Sequence, residues 1–297
     1  MKYPSFIFRP TITIAVLATL LVLNKPFTAL GQGERDTIKK EITFSDISDT
    51  DNMLKIMNLN GSVTVESYNG KRISFTINEE LYGSSKNIKQ AKNELKYKFE
   101  QRGNVVLAYL DAPFIKVRFE DGEVYYSVNR KNDDYKFVHN VEVKVPQDVH
   151  LKTSTINKGD IKIDGHFKTV EARNVNGALK LSHLVSKTKA HTVNGDITLS
   201  YDKAPKNNSS FKTVNGTIDI TLPEDLSADI YFKSLHGDLY TDFKDVKRLK
   251  SHTDIQTNSH GSKGKYYLSK QSPFRIGEGG TELSFNVLNG DVYIRKK

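Results

Sequence analysis

The feature that most constrains this chain is a short stretch that keeps returning. "HTVNGDITLSY" begins at His191, and variants of it stand on either side: "RNVNGALKLSH" from Arg173, "KTVNGTIDITL" from Lys212, "KSLHGDLYTDF" from Lys233 and "NVLNGDVYIRK" from Asn286. The turn glycines of the C-terminal half are Gly159, Gly177, Gly195, Gly216, Gly237, Gly261 and Gly290, separated by 18, 18, 21, 21, 24 and 29 residues. With each glycine as position zero, +2 and +4 read Ile161/Ile163, Leu179/Leu181, Ile197/Leu199, Ile218/Ile220 and Val292/Ile294. Position −2 reads Val175, Val193, Val214, Leu235 and Leu288, and position −5 reads Ala172, Ala190, Phe211, Phe232 and Phe285. Gly61 fits as well, with Leu59 before it and Val63 and Val65 after it. The Gly237 and Gly261 units are degenerate, with Thr241 and Lys263 at +4 and +2.

Alternation with period two puts the apolar side chains on one face of a strand. A unit of about 20 residues cannot bury that face alone, so neighbouring units must cover it. The expected fold is therefore all-β: a repetitive β-solenoid, right-handed β-helix-like, with one coil per unit. The alternative is a β-sandwich of hairpins, because Asn-Gly is the strongest short hairpin signal. Recurrence of the whole unit, including its −5 position, favours the solenoid. The turn residues are Asn60 and Gly61, Asn176 and Gly177, Asn194 and Gly195, Asn215 and Gly216, Gly237, and Asn289 and Gly290. Glycine and asparagine are the residues most tolerant of positive φ, and stacked asparagines can share side-chain hydrogen bonds down a ladder. In this reading Val193, Ile197 and Leu199 point inward, while Asp196 and Thr198 face water.

The chain divides into four stretches. Residues 1–31 read as a signal peptide: Lys2 and Arg9, then the apolar run "ITIAVLATLLVL", then small residues Ala29 and Gly31, with cleavage before Gln32. The run is short for a spanning helix, and no later segment is apolar enough to cross a bilayer, so the mature chain is expected without a membrane span. Export to the periplasm, the cell surface or the medium follows. Residues 32–52 are a polar lead-in with one short strand, "KEITF". Residues 53–150 form an N-terminal β region. Its helical candidate, "SKNIKQAKNELKYKF", carries an Ile88, Ala91, Leu95 stripe with Ser85 as a plausible cap. "EQRGNVV" reads as a hairpin, Asp121-Gly122 as another turn, and Pro146 ends a strand. Residues 151–297 are the β-repeat region, read as continuous with 53–150.

Chemistry is sparse. The formal net charge of +9 falls to +6 when Lys2, Arg9 and Lys25 of the leader are set aside. The cations are scattered among acids, which points away from nucleic acid. An anionic glycan or a surface polymer suits the charge equally. There is no cysteine, so disulfides and thiolate metal sites are excluded. The eight histidines lack zinc-ligand spacing, including the His183/His191 and His252/His260 pairs, and no cofactor or metal site is expected. Position +1 carries Asp160, Asp196, Asp238 and Asp291, interrupted by Ala178 and Thr217. Alternating Asp and Lys on an outer face reads as solvation, and Asp196 with Lys180 or Lys162 is the set to choose if the chain is an enzyme. The run from Phe114 to Phe137 mixes aromatic and basic residues, and Lys116, Arg118, Tyr125, Tyr126 and Arg130 form a candidate partner surface that could stack on sugars or pair with acids. Asn60 and Asn215 also begin N-glycosylation patterns, which the turn explains without modification.

The turns "NLNGSV", "NVNGAL", "TVNGDI", "TVNGTI" and "VLNGDV", the export signal and the closing "LSFNVLNGDVYIRKK" together resemble the bacterial family named putative adhesins, a domain of unknown function, in Bacteroidota-like form. The resemblance spans roughly Asn52 to Lys297. It implies a repetitive β fold, often a solenoid, on an exported or envelope-associated protein, and it carries over no catalytic residue. The functional expectation is a non-enzymatic, adhesin-like binding or scaffolding protein, with a surface glycan or an envelope protein as partner. The alternative is a polysaccharide-active lyase or glycosidase on the same solenoid. The sequence does not set the oligomeric state.

Overall fold

The computed structural model describes residues 33–120, 123–130, 134–249 and 273–297. The proposed leader with its cleavage site, the Asp121-Gly122 turn, Gly261, Lys263, His252 and His260 lie outside the described residues. The described residues build two long sheets of 10 and 11 strands. Each Asn-Gly is a corner between them. In the Gly195 coil, Thr188–His191 lies in the 11-stranded sheet and Ile197–Tyr201 in the 10-stranded one. Both pair in parallel with the coils before and after. A hairpin would pair its own two arms antiparallel, so the sandwich of hairpins is excluded and the solenoid holds. Asn69-Gly70 is likewise no hairpin, since Val63–Tyr68 and Ile73–Tyr82 do not pair with each other.

The strands stack in register. Along the 10-stranded sheet the +2 rung runs Val63, Ile161, Leu179, Ile197, Ile218, Val292, Leu239. In the other sheet the −5 rung runs Ala172, Ala190, Phe211, Phe285, Phe232, with the Phe211 and Phe285 rings 5.0 Å apart. Inward residues of both sheets make one continuous core. Each fully buried aliphatic side chain contributes about 1.5–3 kcal/mol.

The coils do not stack in chain order. Thr281–Asn289 sits between Ser209–Asn215 and Ala228–His236, and Val292–Lys296 sits between Ile218–Leu222 and Leu239–Thr241. The Gly290 coil is therefore inserted beneath the Gly237 coil. The other end repeats the device: Val105–Asp111 and Lys136–Pro146 stack outside Met53–Met57 and Val63–Tyr68, which precede them in the chain. Residues 53–150 and 151–297 thus share both sheets.

Antiparallel strands close three of the four sheet ends. Ile73–Tyr82 and then Gly33–Ile42 finish one. Lys96–Arg102 finishes another through a hairpin at Gly103, and Phe274–Ile276 with Val246–Arg248 a third. The lead-in strand is ten residues long and charged, which suits an exposed edge. The helix spans Ser85–Glu94, and its cap is Ser84 rather than Ser85: the Ser84 hydroxyl accepts from the Asn87 N–H at 3.3 Å.

Candidate functional site

The corners form two hydrogen-bonded ladders. On the outside, each asparagine amide donates to the carboxamide oxygen of the coil before it: Asn157 to Asn60 at 3.3 Å, Asn176 to Asn157 at 3.0 Å, Asn194 to Asn176 at 2.9 Å, Asn215 to Asn194 at 2.8 Å, and Asn289 to Asn215 at 2.8 Å. In the Gly159 coil one extra residue, Lys158 at φ 59, separates the asparagine from the glycine. Inside, at −3, a short polar side chain donates to a glycine carbonyl of the preceding coil: Asn174 to Gly159 at 2.9 Å, Thr192 to Gly177 at 2.9 Å, Thr213 to Gly195 at 3.0 Å. Thr155 does the same to Gly61 at 2.8 Å. This inner ladder was missed in the sequence, although small polar residues recurring at −3 were its signal.

Glycine is needed at the corners for approach more than for turning. Gly61, Gly216, Gly237 and Gly290 have positive φ, but Gly159, Gly177 and Gly195 do not. At Gly177, Gly195 and Gly216 a β-carbon would be driven into the carbonyl of the corner glycine one coil below. The common requirement is the close stacking of backbones.

Position −2 is buried at Leu59, before Gly61, but is a correction in the later coils. Val193 is half-buried on the outer surface, as are Val175 and Val214, while Leu288 is 41% and Leu235 66% exposed. The inward neighbour is Thr192, fully buried. Ile197 and Leu199 point into the core as expected, and Asp196 and Thr198 face out.

Three of the four aspartates at +1 act on the backbone, and the fourth, Asp238, has its own N–H capped. Asp160 accepts the Ala178 N–H at 2.9 Å, Asp196 the Thr217 N–H at 2.8 Å, and Asp291 the Asp238 N–H at 2.9 Å. Asn140 does this for Ser62 at 3.0 Å. In axial order, acceptor coils alternate with the coils they cap. Lys180 reaches Asp160 at 3.3 Å rather than Asp196. The grouping of Asp196 with Lys180 or Lys162 is thus not a clustered pair with a free carboxylate.

The candidate partner surface divides in two. Ile115–Glu120 and Glu123–Val128 form a separate hairpin, with Arg118 opposite Tyr125 and Lys116 opposite Ser127. Lys116, Arg118 and Tyr125 share its exposed face. Tyr126 faces the body: its hydroxyl donates to the Leu110 carbonyl at 2.6 Å, and burial pushes its pKa up. Arg130 is enclosed by the rings of Phe114, Tyr135 and Phe137, 4.6–5.4 Å from their centroids, and donates to the Tyr135 carbonyl. Tyr126 and Arg130 are internal joints, and sequence alternation could not tell the two faces of the hairpin apart.

The described histidines are used singly. His139 is buried against Glu79 at 2.8 Å, and His183 meets Asp164 at 2.5 Å. Among the described residues no cluster of three or more histidine and acidic side chains could hold a metal ion. Two open cavities border the solenoid. One, of 640 Å³, is lined by Gly33, Glu34, Ser85, Ile88, Lys89 and Lys92, with Lys92 paired to Glu34. The other, of 560 Å³, is lined by Lys187, Lys206, Asn207, Asn208, Gly280 and Thr281.

Three solved structures are similar in chain path at low identity. A protein named a putative cell adhesion protein, from Clostridium sporogenes, is 12% identical over 89% of this chain and 100% of its own, with a TM-score of 0.39. A protein named a putative lipid binding protein, from Parabacteroides distasonis, is 11% identical over 88% of this chain and 97% of its own, with a TM-score of 0.34. A protein named a putative adhesin, from Bacteroides fragilis, is 8% identical over 88% and 97%, with a TM-score of 0.29. No curated protein matches the chain. Residues 140–272, which include most of the regular coils, match the family described as Toastrack DUF4097.

Proposed function

We propose that this protein is an exported, non-enzymatic scaffold of the adhesin-like kind, which presents the outer faces of its coils to a glycan of the cell envelope or its surroundings. The observation that carries the reading is the use of the +1 aspartates. Three of the four carboxylates in the row that a hydrolase or lyase would draw on, Asp160, Asp196 and Asp291, are bonded to backbone N–H groups of neighbouring coils. A carboxylate held as an acceptor is poorly placed to deliver or remove a proton. The leader read in residues 1–31 supports export, and mass measurement of secreted material with a new N-terminus at Gln32 tests it.

A glycan array probed with the exported protein tests the binding reading. Each hit is then incubated with the protein and assayed for new reducing or unsaturated ends. Retention without product supports a scaffold. Release of oligosaccharides replaces it with the polysaccharide-active enzyme.

A further inference from the structure

The 560 Å³ cavity lies where three consecutive coils enter the 11-stranded sheet, just before Thr188–His191, Ser209–Asn215 and Thr281–Asn289. Lys187 is half-buried in its wall and Lys206 stands at its rim. Neither has an ion pair among the described residues. Asn208 uses its carboxamide oxygen to accept the Glu282 N–H at 3.1 Å, which leaves its amide hydrogens to donate. Thr281 adds a hydroxyl.

The cationic surface continues along the same face. Lys189 points outward from the strand Thr188–His191, and Lys187 stands two residues before it, at the entry to that strand, about 6.7 Å away along an extended backbone. On the next coil Ser210 is paired with Lys189, and Lys212 with His191, at the inter-strand spacing of about 4.8 Å. Lys189 and Lys212 also lack ion pairs among the described residues. The nearby carboxylates are mostly engaged: Glu171 by Arg173 at 2.5 Å, and Asp229 by Arg275 at 2.7 Å, leaving Glu282 at the cavity edge. His191 senses the positive field. Burial holds its pKa below the ordinary value, and the charges of Lys212 and Arg173 lower it further.

We propose that this cavity and the lysines beside it bind a linear acidic polysaccharide. One uronate carboxylate is seated between Lys187 and Lys206, its sugar hydroxyls are met by Asn208 and Thr281, and later carboxylates lie over Lys189 and Lys212. Among the described residues the lining carries no aromatic ring on which a base could stack, which argues against single-stranded nucleic acid. The described lining also carries no apolar side chain to enter a bilayer, which argues against a membrane surface. The proposal rests on the reading of the protein as a binder of glycans.

Calorimetric titration of the full chain with polygalacturonate tests it, with neutral dextran and phosphatidylglycerol vesicles as parallel arms. Polygalacturonate binds, dextran and vesicles do not, and the affinity falls as salt rises. The double variant K187Q/K206Q binds about tenfold more weakly or worse, because each lost charge removes a charge-assisted contact. K71Q, exposed just before Ile73–Tyr82 near the far end of the other sheet, binds as wild type, and all variants melt alike by circular dichroism. Equal losses in K71Q and in the double variant overturn the site, as does capture of vesicles in place of polygalacturonate. Binding accompanied by cleavage keeps the site and refutes the scaffold reading. A neutral glycan hit on the array without polygalacturonate binding refutes the site alone.

Discussion

The side-chain amide of Asn215 donates to the carboxamide oxygen of Asn194 across 2.8 Å, and Asn194 donates in turn to Asn176 at 2.9 Å. A residue in the middle of this ladder makes two such bonds, whereas Asn289 donates one, to Asn215. Asn194→Ala is therefore expected to lower unfolding free energy by about 1–2 kcal/mol, and Asn289→Ala by about half as much, in urea titrations. Equal effects would mean that the ladder bonds do not add.

Gly195→Ala is expected to destabilise by about 1–3 kcal/mol, the usual range for forced overpacking. The backbone angle at Gly195 is not the cause, since its φ is not positive. The added methyl meets the carbonyl of Gly177. Gly103→Ala makes the contrast: it has φ 58 but open space around a β-carbon, so its smaller loss is purely conformational. Denaturant curves for the two variants separate steric from torsional cost.

Asp196→Asn keeps an oxygen that can accept the Thr217 N–H, while Asp196→Ala removes it. The asparagine variant should be nearly neutral and the alanine variant about 1 kcal/mol less stable. Partner binding should be unchanged in Asp196→Asn. A loss of function in that variant with intact stability would return the aspartate row to chemistry.

His183 and Asp164 give the stability a pH signature. The bond to Asp164 raises the His183 pKa above its ordinary 6.5, and the bond to His183 holds the Asp164 pKa below its ordinary 3.8. The histidine contribution is complete below its unfolded pKa and is lost as pH rises through the folded one. The aspartate contribution is present above its unfolded pKa and is lost as pH falls through the folded one. The pair thus stabilises most between those two ordinary values. Both side chains are more than half exposed, so screening keeps the effect small. His183→Asn tolerates the left-handed backbone at φ 55. Its stability deficit should peak near pH 5, by about 0.5 kcal/mol or less, and vanish in mildly alkaline buffer.

Ile197→Asp or Leu199→Asp should abolish folding, because each places an unpaired carboxylate in a fully buried rung. A cooperative melt near the wild-type temperature would refute the inward assignment.

Much of the fold is legible in the repeat. The +2, +4 and −5 rungs, the corner residues and the outer asparagine ladder all follow from the spacing. The −2 position misleads because the chain changes sheets at the corner. Inward positions are odd before the glycine, as at Ala190 and Thr192, and even after it, as at Ile197 and Leu199. A single alternation carried through the turn puts Val193 on the wrong side. The aspartate row looks irregular in sequence for another reason: the Gly290 coil stacks before the Gly237 coil. Its alternation exists only along the axis. The lysine cavity was invisible because Lys187, Lys206 and Thr281 come from three coils and fall outside the repeated motif.

The out-of-order coils bear on how the molecule resists force. A solenoid laid down in sequence can be unzipped from either tip, one edge strand at a time. Here Thr281–Asn289 is hydrogen-bonded on both sides, to Ser209–Asn215 and to Ala228–His236. Pulling on the chain beyond it must shear two strand interfaces at once instead of peeling one. At the opposite tip, Met53–Met57 is clasped in the same way between His150–Thr155 and Val105–Asp111. The fold is a stack whose second coil at each end is locked by its neighbours, so that neither coil offers a free edge from which to peel.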